Sequence, residues 1–374
     1  MELSSEDSFR LNVLLANKPQ AIRIDESRLL VYGLSERGEA KIQLNPTGRP
    51  EPYLRLVREL ISGHVLGSPG GYPVYLRRWT RMGQMRDESL EQLLLLGEPE
   101  AVVAAVHAPG LSEELARRAW WAMEDAHNAR CLLANQAVRD GSLGSVLADY
   151  LVEYLPFEAE PEQAMESVRL VLQPGLLEPQ RRADLWRRSA RKPAHLLGFL
   201  HALPDALPDE VPERRDAEAV RLGLAPLLAT DDPCAALLLR VLSGPGQSFL
   251  KTLRVFLVKP PNQELIGSVF RLLRDYFGPL RPEGDPGLAL DALLADAQAF
   301  VTAGGVSSTP QPCLSLIPGL ADDLAAMRIL SGVGYETVRA YLIDSTASGS
   351  LMRRKLAPVL DVMQGQIDIL RGSS

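Results

Sequence analysis

The stretch "AIRIDESRLLVYGLSERGEAKIQL" (Ala21 to Leu44) decides the fold of the N-terminal region. Its apolar residues alternate with a period of two in three short runs, a pattern typical of half-buried strands. The polar breaks "DES" and "SERGE" between the runs favour tight turns. The sequence therefore predicts a three-stranded antiparallel meander. The alternating apolar sets are Ile22/Ile24, Leu30/Tyr32/Leu34 and Ala40/Ile42/Leu44.

Helical patterns flank this meander. Residues 4–16 read as a helix that Ser4 or Ser5 caps, and a second helix is predicted from about Pro50 to Ser62. Residues 1–86 are therefore expected to form a small α+β domain.

From Asp87 onward the sequence predicts a succession of helices of about 10 to 16 residues, separated by Pro, Gly and acidic turns. Proline suits the first position of a helix, where its missing N–H needs no partner. The expected proline starts are at Pro99, Pro161, Pro179, Pro193, Pro233 and Pro260-Pro261.

Such repeated short helices favour a mainly α fold in which the small α+β domain is followed by an irregular HEAT-like α-solenoid over residues 87–280. No fixed repeat period is present, so an irregular helical bundle stays open. Residues 281–313 are expected to contain linkers, in "RPEGDPG" (Arg281 to Gly287) and "TAGGVSSTPQP" (Thr302 to Pro312). Residues 314–374 are expected to form a C-terminal helical segment.

The composition is that of a globular protein. The chain has 374 residues, of which 46% are hydrophobic and 23% charged, and its net charge is −7. A nucleic-acid-binding domain usually carries a basic excess, and only residues 1–86 show a weak one. The N-terminus lacks the basic and apolar pattern of a signal peptide, and no apolar run is long enough to span a membrane, so a cytoplasmic protein is expected.

The stretch "GSPGGYPVYLRRWTRMGQMR" (Gly67 to Arg86) raises a question of binding. Its glycines lack the spacing and the lysine of a phosphate-binding loop. Arginines beside an aromatic ring can stack on bases and pair with phosphate, which makes a patch for nucleic acid or another anionic partner possible here. The alternative is a joint between two domains, in which the tryptophan side chain makes the apolar contact. The candidate residues are Arg77, Arg78, Trp79 and Arg81.

A second candidate lies in "ILSGVGYETVRAYL" (Ile329 to Leu342), whose pattern is similar to the hairpin of helix-hairpin-helix elements. In those elements the glycine turn exposes backbone N–H groups to a DNA phosphate. A tight turn between two packed helices has the same pattern. The matching residues are Gly332, Val333, Gly334 and Thr337.

No catalytic or cofactor motif is present. The five histidines (His64, His107, His127, His195, His201) are not expected to assemble, and three cysteines far apart in sequence predict neither a disulfide framework nor a zinc site. We therefore expect no catalytic residues, no metal and no cofactor.

Three long stretches carry a family resemblance, namely "KPQAIRIDESRLLVYGL" (Lys18 to Leu34), Gly63 to Met123, and "LVLQPGLLEPQRRADLWRRS" (Leu170 to Ser189). They resemble the DsrS family, whose members are encoded with the reverse dissimilatory sulfite reductase genes of sulfur-oxidising bacteria. The resemblance covers residues from Lys18 to about Leu203. It implies a cytoplasmic accessory role in sulfur oxidation and brings no catalytic residues or cofactor.

The expected function is that of a non-enzymatic accessory protein of dissimilatory sulfur oxidation, which binds another protein of that system through a helical-repeat surface. The alternative is a regulator of sulfur-oxidation gene expression that binds RNA or DNA. No membrane association is expected, and the oligomeric state stays open.

Overall fold

A computed structural model describes residues 2–46, 48–67, 87–302, 310–342 and 349–372. The fold is mainly α, with a small three-stranded antiparallel sheet near the N-terminus, and this confirms the predicted fold class. The chain separates into two compact units, residues 1–154 and 155–374. Among the described residues, no helix combines the length and the apolar character that a membrane crossing requires.

The sheet is the predicted meander. Its strands are β1 (Ala21–Asp25), β2 (Leu30–Ser35) and β3 (Gly38–Gln43), and they pair antiparallel in the order β1-β2-β3. The two short polar breaks became the turns between neighbouring strands, as their residue types favour.

The prediction for the buried side of β2 is wrong by one residue. Val31 is fully buried and pairs with Ile24 and Ile42, so these three residues share the core side. Leu30, Tyr32 and Leu34 therefore lie on the opposite face, where they are only partly buried. Both faces of β2 carry apolar residues and both are covered, so alternation within this strand did not identify the inner face.

Two helices complete the core beside the sheet. They are α1 (Ser5–Ala16), whose N-cap Ser4 accepts a hydrogen bond from the Asp7 N–H at 3.1 Å, and α2 (Pro50–Leu66). The Tyr53 hydroxyl donates to buried Asp7 at 2.5 Å and so links the two helices. The core residues of this cluster are Leu11, Leu14, Leu15, Ile22, Val31, Ile42, Leu44, Tyr53, Leu54, Val57 and Ile61.

The first unit also contains six helices that follow residue 86. They are α3 (Asp87–Leu94), α4 (Pro99–Val106), α5 (Glu113–Ala122), α6 (Ala126–Ala134), α7 (Gln136–Arg139) and α8 (Ser142–Tyr154). The Arg23 guanidinium of β1 lies between the rings of Tyr32 (4.7 Å) and Trp121 (4.9 Å) and donates to the Trp121 carbonyl. Because α5 packs on the sheet in this way, the first compact unit extends well past Arg86, where the composition changes.

The second unit is helical. Its helices are α9 (Pro161–Val171), α10 (Pro179–Ser189), α11 (Pro193–Ala202), α12 (Ala217–Gly223), α13 (Ala225–Leu228), α14 (Pro233–Leu242), α15 (Gly244–Val258), α16 (Gln263–Phe277), α17 (Leu290–Thr302), α18 (Gln311–Leu316), α19 (Ala321–Gly332), α20 (Tyr335–Leu342) and α21 (Gly349–Leu370). Four helices of this unit begin at a predicted proline, as α4 of the first unit does at Pro99. The predicted start at Pro260-Pro261 is wrong, because Asn262 caps α16 and the helix begins at Gln263.

Helices distant in sequence pack together in this unit. The C-terminal helix α21 contacts α15, α19 and α20, and its apolar side is buried against its own chain. The start of the expected linker is also packed. The Arg281 side chain is 3% exposed and pairs with Asp296 of α17 at 2.6 Å. "RPEGDPG" is therefore anchored to the helices around it, and most of "TAGGVSSTPQP" lies outside the described residues.

Candidate functional site

The glycine hairpin between α19 and α20 is buried. Gly332, Val333, Gly334 and Thr337 are all buried, and the Gly334 N–H donates to the Thr337 hydroxyl at 3.1 Å. That hydroxyl donates in turn to the Leu288 carbonyl at 3.1 Å. The backbone N–H that a DNA phosphate would need therefore already has a partner within the chain.

Close packing explains the two glycines. A Cβ on Gly332 would lie 2.5 Å from the Leu293 side chain, and one on Gly334 would lie 2.9 Å from the Asp285 carboxylate. A carboxylate at this position also repels a phosphate. The geometry supports a structural role for the hairpin, and its contact with DNA stays a prediction.

The other predicted patch lies outside the described residues. Arg77, Arg78, Trp79 and Arg81 all fall between residues 68 and 86. Their role as a joint or as an anionic-partner patch stays a prediction.

One exposed surface combines apolar side chains with a strand edge, and we call it the α1–β3 face. It is formed by Phe9 and Val13 of α1 together with β3. Phe9 is 69% exposed and Val13 is 45% exposed, although both lie on a helix whose other side is buried in the core. The two residues are four apart, so their side chains are neighbours on one side of the helix.

Strand β3 is the last strand of the sheet and is exposed along its length except at Ile42. Among the described residues it pairs with β2 alone, so one row of its backbone N–H and C=O groups lies outside the ladder. A groove of about 350 Å³ separates this edge from Phe9 and Val13. The face therefore offers apolar contact and backbone hydrogen bonding side by side.

A different cluster brings together two histidines and a cysteine, and we call it the His–His–Cys cluster. His107 is the C-cap residue of α4, while His127 and Cys131 lie four residues apart on α6. The Cys131 Sγ lies 3.4 Å from His107 Nε2 and 3.8 Å from His127 Nε2. Both histidines are exposed and the cysteine is partly buried. Burial raises the pKa of the Cys131 thiol.

The expectation that the histidines would not assemble is wrong for His107 and His127. The sequence did not predict the cluster, because His107 caps another helix and lies 20 residues before His127 in the chain. A partial signal was present, since a histidine and a cysteine four residues apart share one side of a helix. His195 and His201 have different neighbours, namely Ser189 and Ser268.

A second group of ligand-type atoms lies in the second unit, and we call it the Cys–Cys–Asp cluster. It contains Asp232, Cys234 and Cys313, whose sulfur and carboxylate oxygen atoms lie within 4.8 Å of one another. Both thiols are fully buried, and Asp232 accepts a hydrogen bond from the Ala235 N–H as the N-cap of α14. The hydrogen bond to Cys313 and burial raise the pKa of the Cys234 thiol.

No family model, curated protein or solved structure matches this chain.

Proposed function

We propose that this chain is a non-enzymatic accessory protein that acts by binding another protein, and that the α1–β3 face makes the contact. The observation that carries this proposal is the exposure of Phe9 and Val13 next to the edge of β3, which pairs with β2 alone in the described part of the chain. The sequence resemblance to the DsrS family suggests that the partner belongs to the machinery of dissimilatory sulfur oxidation in the cytoplasm.

The chemistry of the face favours a partner segment in an extended conformation. Such a segment can add to a strand edge through main-chain hydrogen bonds, while its side chains fill adjoining pockets. A few residues near the centre of an interface supply most of the binding free energy, and aromatic residues are enriched at interfaces. Phe9 is the expected anchor, because it is large, apolar and mostly exposed in the free chain.

The helices after residue 86 are proposed to supply the rest of the binding surface. A HEAT-like arrangement over residues 87–280 would display further surface for a large partner, as α-solenoids do. Nucleic-acid binding has less support at the hairpin, because the Gly334 N–H already donates to Thr337. For Arg77, Arg78, Trp79 and Arg81, which lie outside the described residues, it stays a prediction.

The test is affinity capture from a lysate of a sulfur-oxidising bacterium, quantified by mass spectrometry. The double variant Phe9→Asp/Val13→Asp places charge on the face and should reduce recovery of the specific partner by at least about tenfold, equivalent to about 1.4 kcal/mol. Tyr335→Asp is the matched control, since Tyr335 is 70% exposed on α20, outside residues 87–280. Equal recovery by both variants and the unaltered chain would contradict the proposal, as would the absence of any specific partner.

A further inference from the structure

We propose that the His–His–Cys cluster is a binding site for a divalent transition-metal ion of the zinc type, with His107 Nε2, His127 Nε2 and Cys131 Sγ as ligands. This site is independent of the α1–β3 face and goes beyond the proposed binding of a protein partner. All three residues belong to the first compact unit.

The distances fit a tetrahedral ion. Zinc binds histidine nitrogen at about 2.0–2.1 Å and cysteine sulfur at about 2.3 Å, so a nitrogen and a sulfur on one tetrahedral ion lie about 3.6 Å apart. The two observed separations from Cys131 Sγ are 3.4 and 3.8 Å. The three ligand atoms all lie within 4.8 Å of one another, so a metal ion can reach each of them with little rearrangement of side chains.

An outer hydrogen bond already orients one ligand. His107 Nδ1 lies 2.7 Å from the Val103 carbonyl oxygen, which can only accept. Nδ1 therefore carries the proton, and Nε2 presents its lone pair toward Cys131. Metal-binding histidines usually have such an outer partner, which fixes both the tautomer and the ring orientation. The hydrogen bond from His107 to the Val103 carbonyl thus supports a metal site separately from the short distances to Cys131.

The two helices hold the ligands at their surfaces. His127 and Cys131 occupy neighbouring turns on one side of α6, so their side chains reach the same point. His107 lies at the C-terminal end of α4, where the helix dipole favours a positive charge. An ion enters from solvent, because both histidines are exposed.

The ligand types narrow the choice of metal. A thiolate selects against calcium and magnesium, and imidazole together with thiolate suits zinc, copper or cobalt. The thiol must lose its proton on binding, so each bound ion releases one proton from Cys131. Three protein ligands on an exposed surface leave a fourth position for water or another small ligand.

The alternative is a surface thiol that only hydrogen-bonds to two neighbouring imidazoles. Both readings explain the contacts in the free chain, but only a metal site predicts a stoichiometric complex in which sulfur is bonded to the metal. Cobalt separates the two, because Co²⁺ bound by a thiolate shows an intense sulfur-to-metal charge-transfer absorption, whereas a histidine-only complex does not.

The experiment uses the full chain after removal of metal with a chelator. Zn²⁺ binding is measured by competition with a chromophoric chelator, and Co²⁺ binding by absorption. We expect the chain to bind one equivalent of Co²⁺ with thiolate charge transfer. Loss of an outer hydrogen-bond partner typically costs roughly 10–100-fold in metal affinity. Loss of a ligand should cost more, so Cys131→Ser, His107→Gln and His127→Gln should each lower the affinity by more than this factor.

Two control variants define the site. His64→Gln removes an exposed histidine of α2, and Cys234→Ala removes a thiol of the Cys–Cys–Asp cluster, so both should bind Co²⁺ as the unaltered chain does. The proposal is overturned if the unaltered chain shows no thiolate charge transfer. It is also overturned if the signal survives in Cys131→Ser and disappears in Cys234→Ala. Circular dichroism of each variant checks that loss of binding does not follow from loss of fold.

Discussion

Cysteine thiols occupy opposite environments in the two compact units. In the first, His107, His127 and Cys131 meet at the surface, and one histidine is held by a backbone carbonyl. In the second, Cys234 and Cys313 are fully buried, and their sulfur atoms lie within 4.8 Å of each other.

The difference shows that proximity of ligand-type atoms does not by itself make a site. The Cys–Cys–Asp cluster belongs to the packed interior, since the Asp232 carboxylate caps α14 and both thiols are fully buried. In the His–His–Cys cluster, by contrast, the imidazole lone pairs face a thiol and solvent. Accessibility and free lone pairs distinguish a candidate ligand set from core packing.

The largest expected difference concerns thiol reactivity. In the native protein at mildly alkaline pH, iodoacetamide should modify Cys131 at least about 100-fold faster than Cys234 or Cys313. The buried thiols react only after local opening, and a 100-fold difference corresponds to an opening free energy of about 3 kcal/mol. Mass spectrometry of tryptic peptides over time measures the three rates.

Urea supplies the control for this experiment, because it should make all three cysteines react at similar rates. Zn²⁺ should slow the modification of Cys131 alone, if the metal site is present. Equal native rates for Cys131 and Cys234 would remove the contrast between the two clusters.

A second expected effect concerns the response of a buried histidine to pH. His195 is 5% exposed, and burial, followed by the charges of Lys192 and Arg188, lowers its pKa to about 4 from an ordinary value of 6.5. Between about pH 4 and pH 6.5, therefore, His195 is neutral in the folded protein and protonated in the unfolded chain. Its contribution to stability is complete above about pH 6.5 and is lost as the pH falls toward 4, at a cost of about 2–3 kcal/mol by pH 4.5.

Urea denaturation at pH 7 and pH 4.5 checks this expectation. His195→Gln removes the titrating group, so its free energy of unfolding should fall less between the two pH values than that of the unaltered chain. His64→Gln, at an exposed position, is the matched control for the substitution itself. An identical pH dependence in His195→Gln would show that the neutral form of His195 is not what the fold requires.

Much of the fold could be predicted from local patterns. The strands of the meander and the helix starts at Pro99, Pro161 and Pro179 are set by alternation, turn residues and the fixed φ of proline, all of which act within a few residues. The inner face of β2 could not be predicted, because it depends on which helices cover the sheet. The burial of Arg281 could not be predicted for the same reason, since its partner Asp296 lies on the next helix.

The candidate sites were harder to predict than the fold. The pairing of His127 with Cys131 follows from helical spacing, but the position of His107 depends on how α4 and α6 pack. Phe9 and Val13 read as ordinary helix residues in the sequence, and only the structure shows that they lie outside the core. Distances between elements carry this information, and a single sequence does not contain them.

The smallest expected difference concerns stability and tests burial directly. Cys234→Ala removes a sulfur atom from a fully buried position and leaves a small cavity, so it should lower the free energy of unfolding by about 1–2 kcal/mol. Cys131→Ala removes a partly exposed sulfur and should change the free energy of unfolding by less than about 0.5 kcal/mol in the absence of metal. Denaturation in the presence of a chelator measures both variants without a contribution from bound ions. If Cys131→Ala lowers the free energy of unfolding as much as Cys234→Ala or more, the surface thiol supports the fold. The contrast between an accessible ligand set and a pair of thiols packed in the core would then no longer hold.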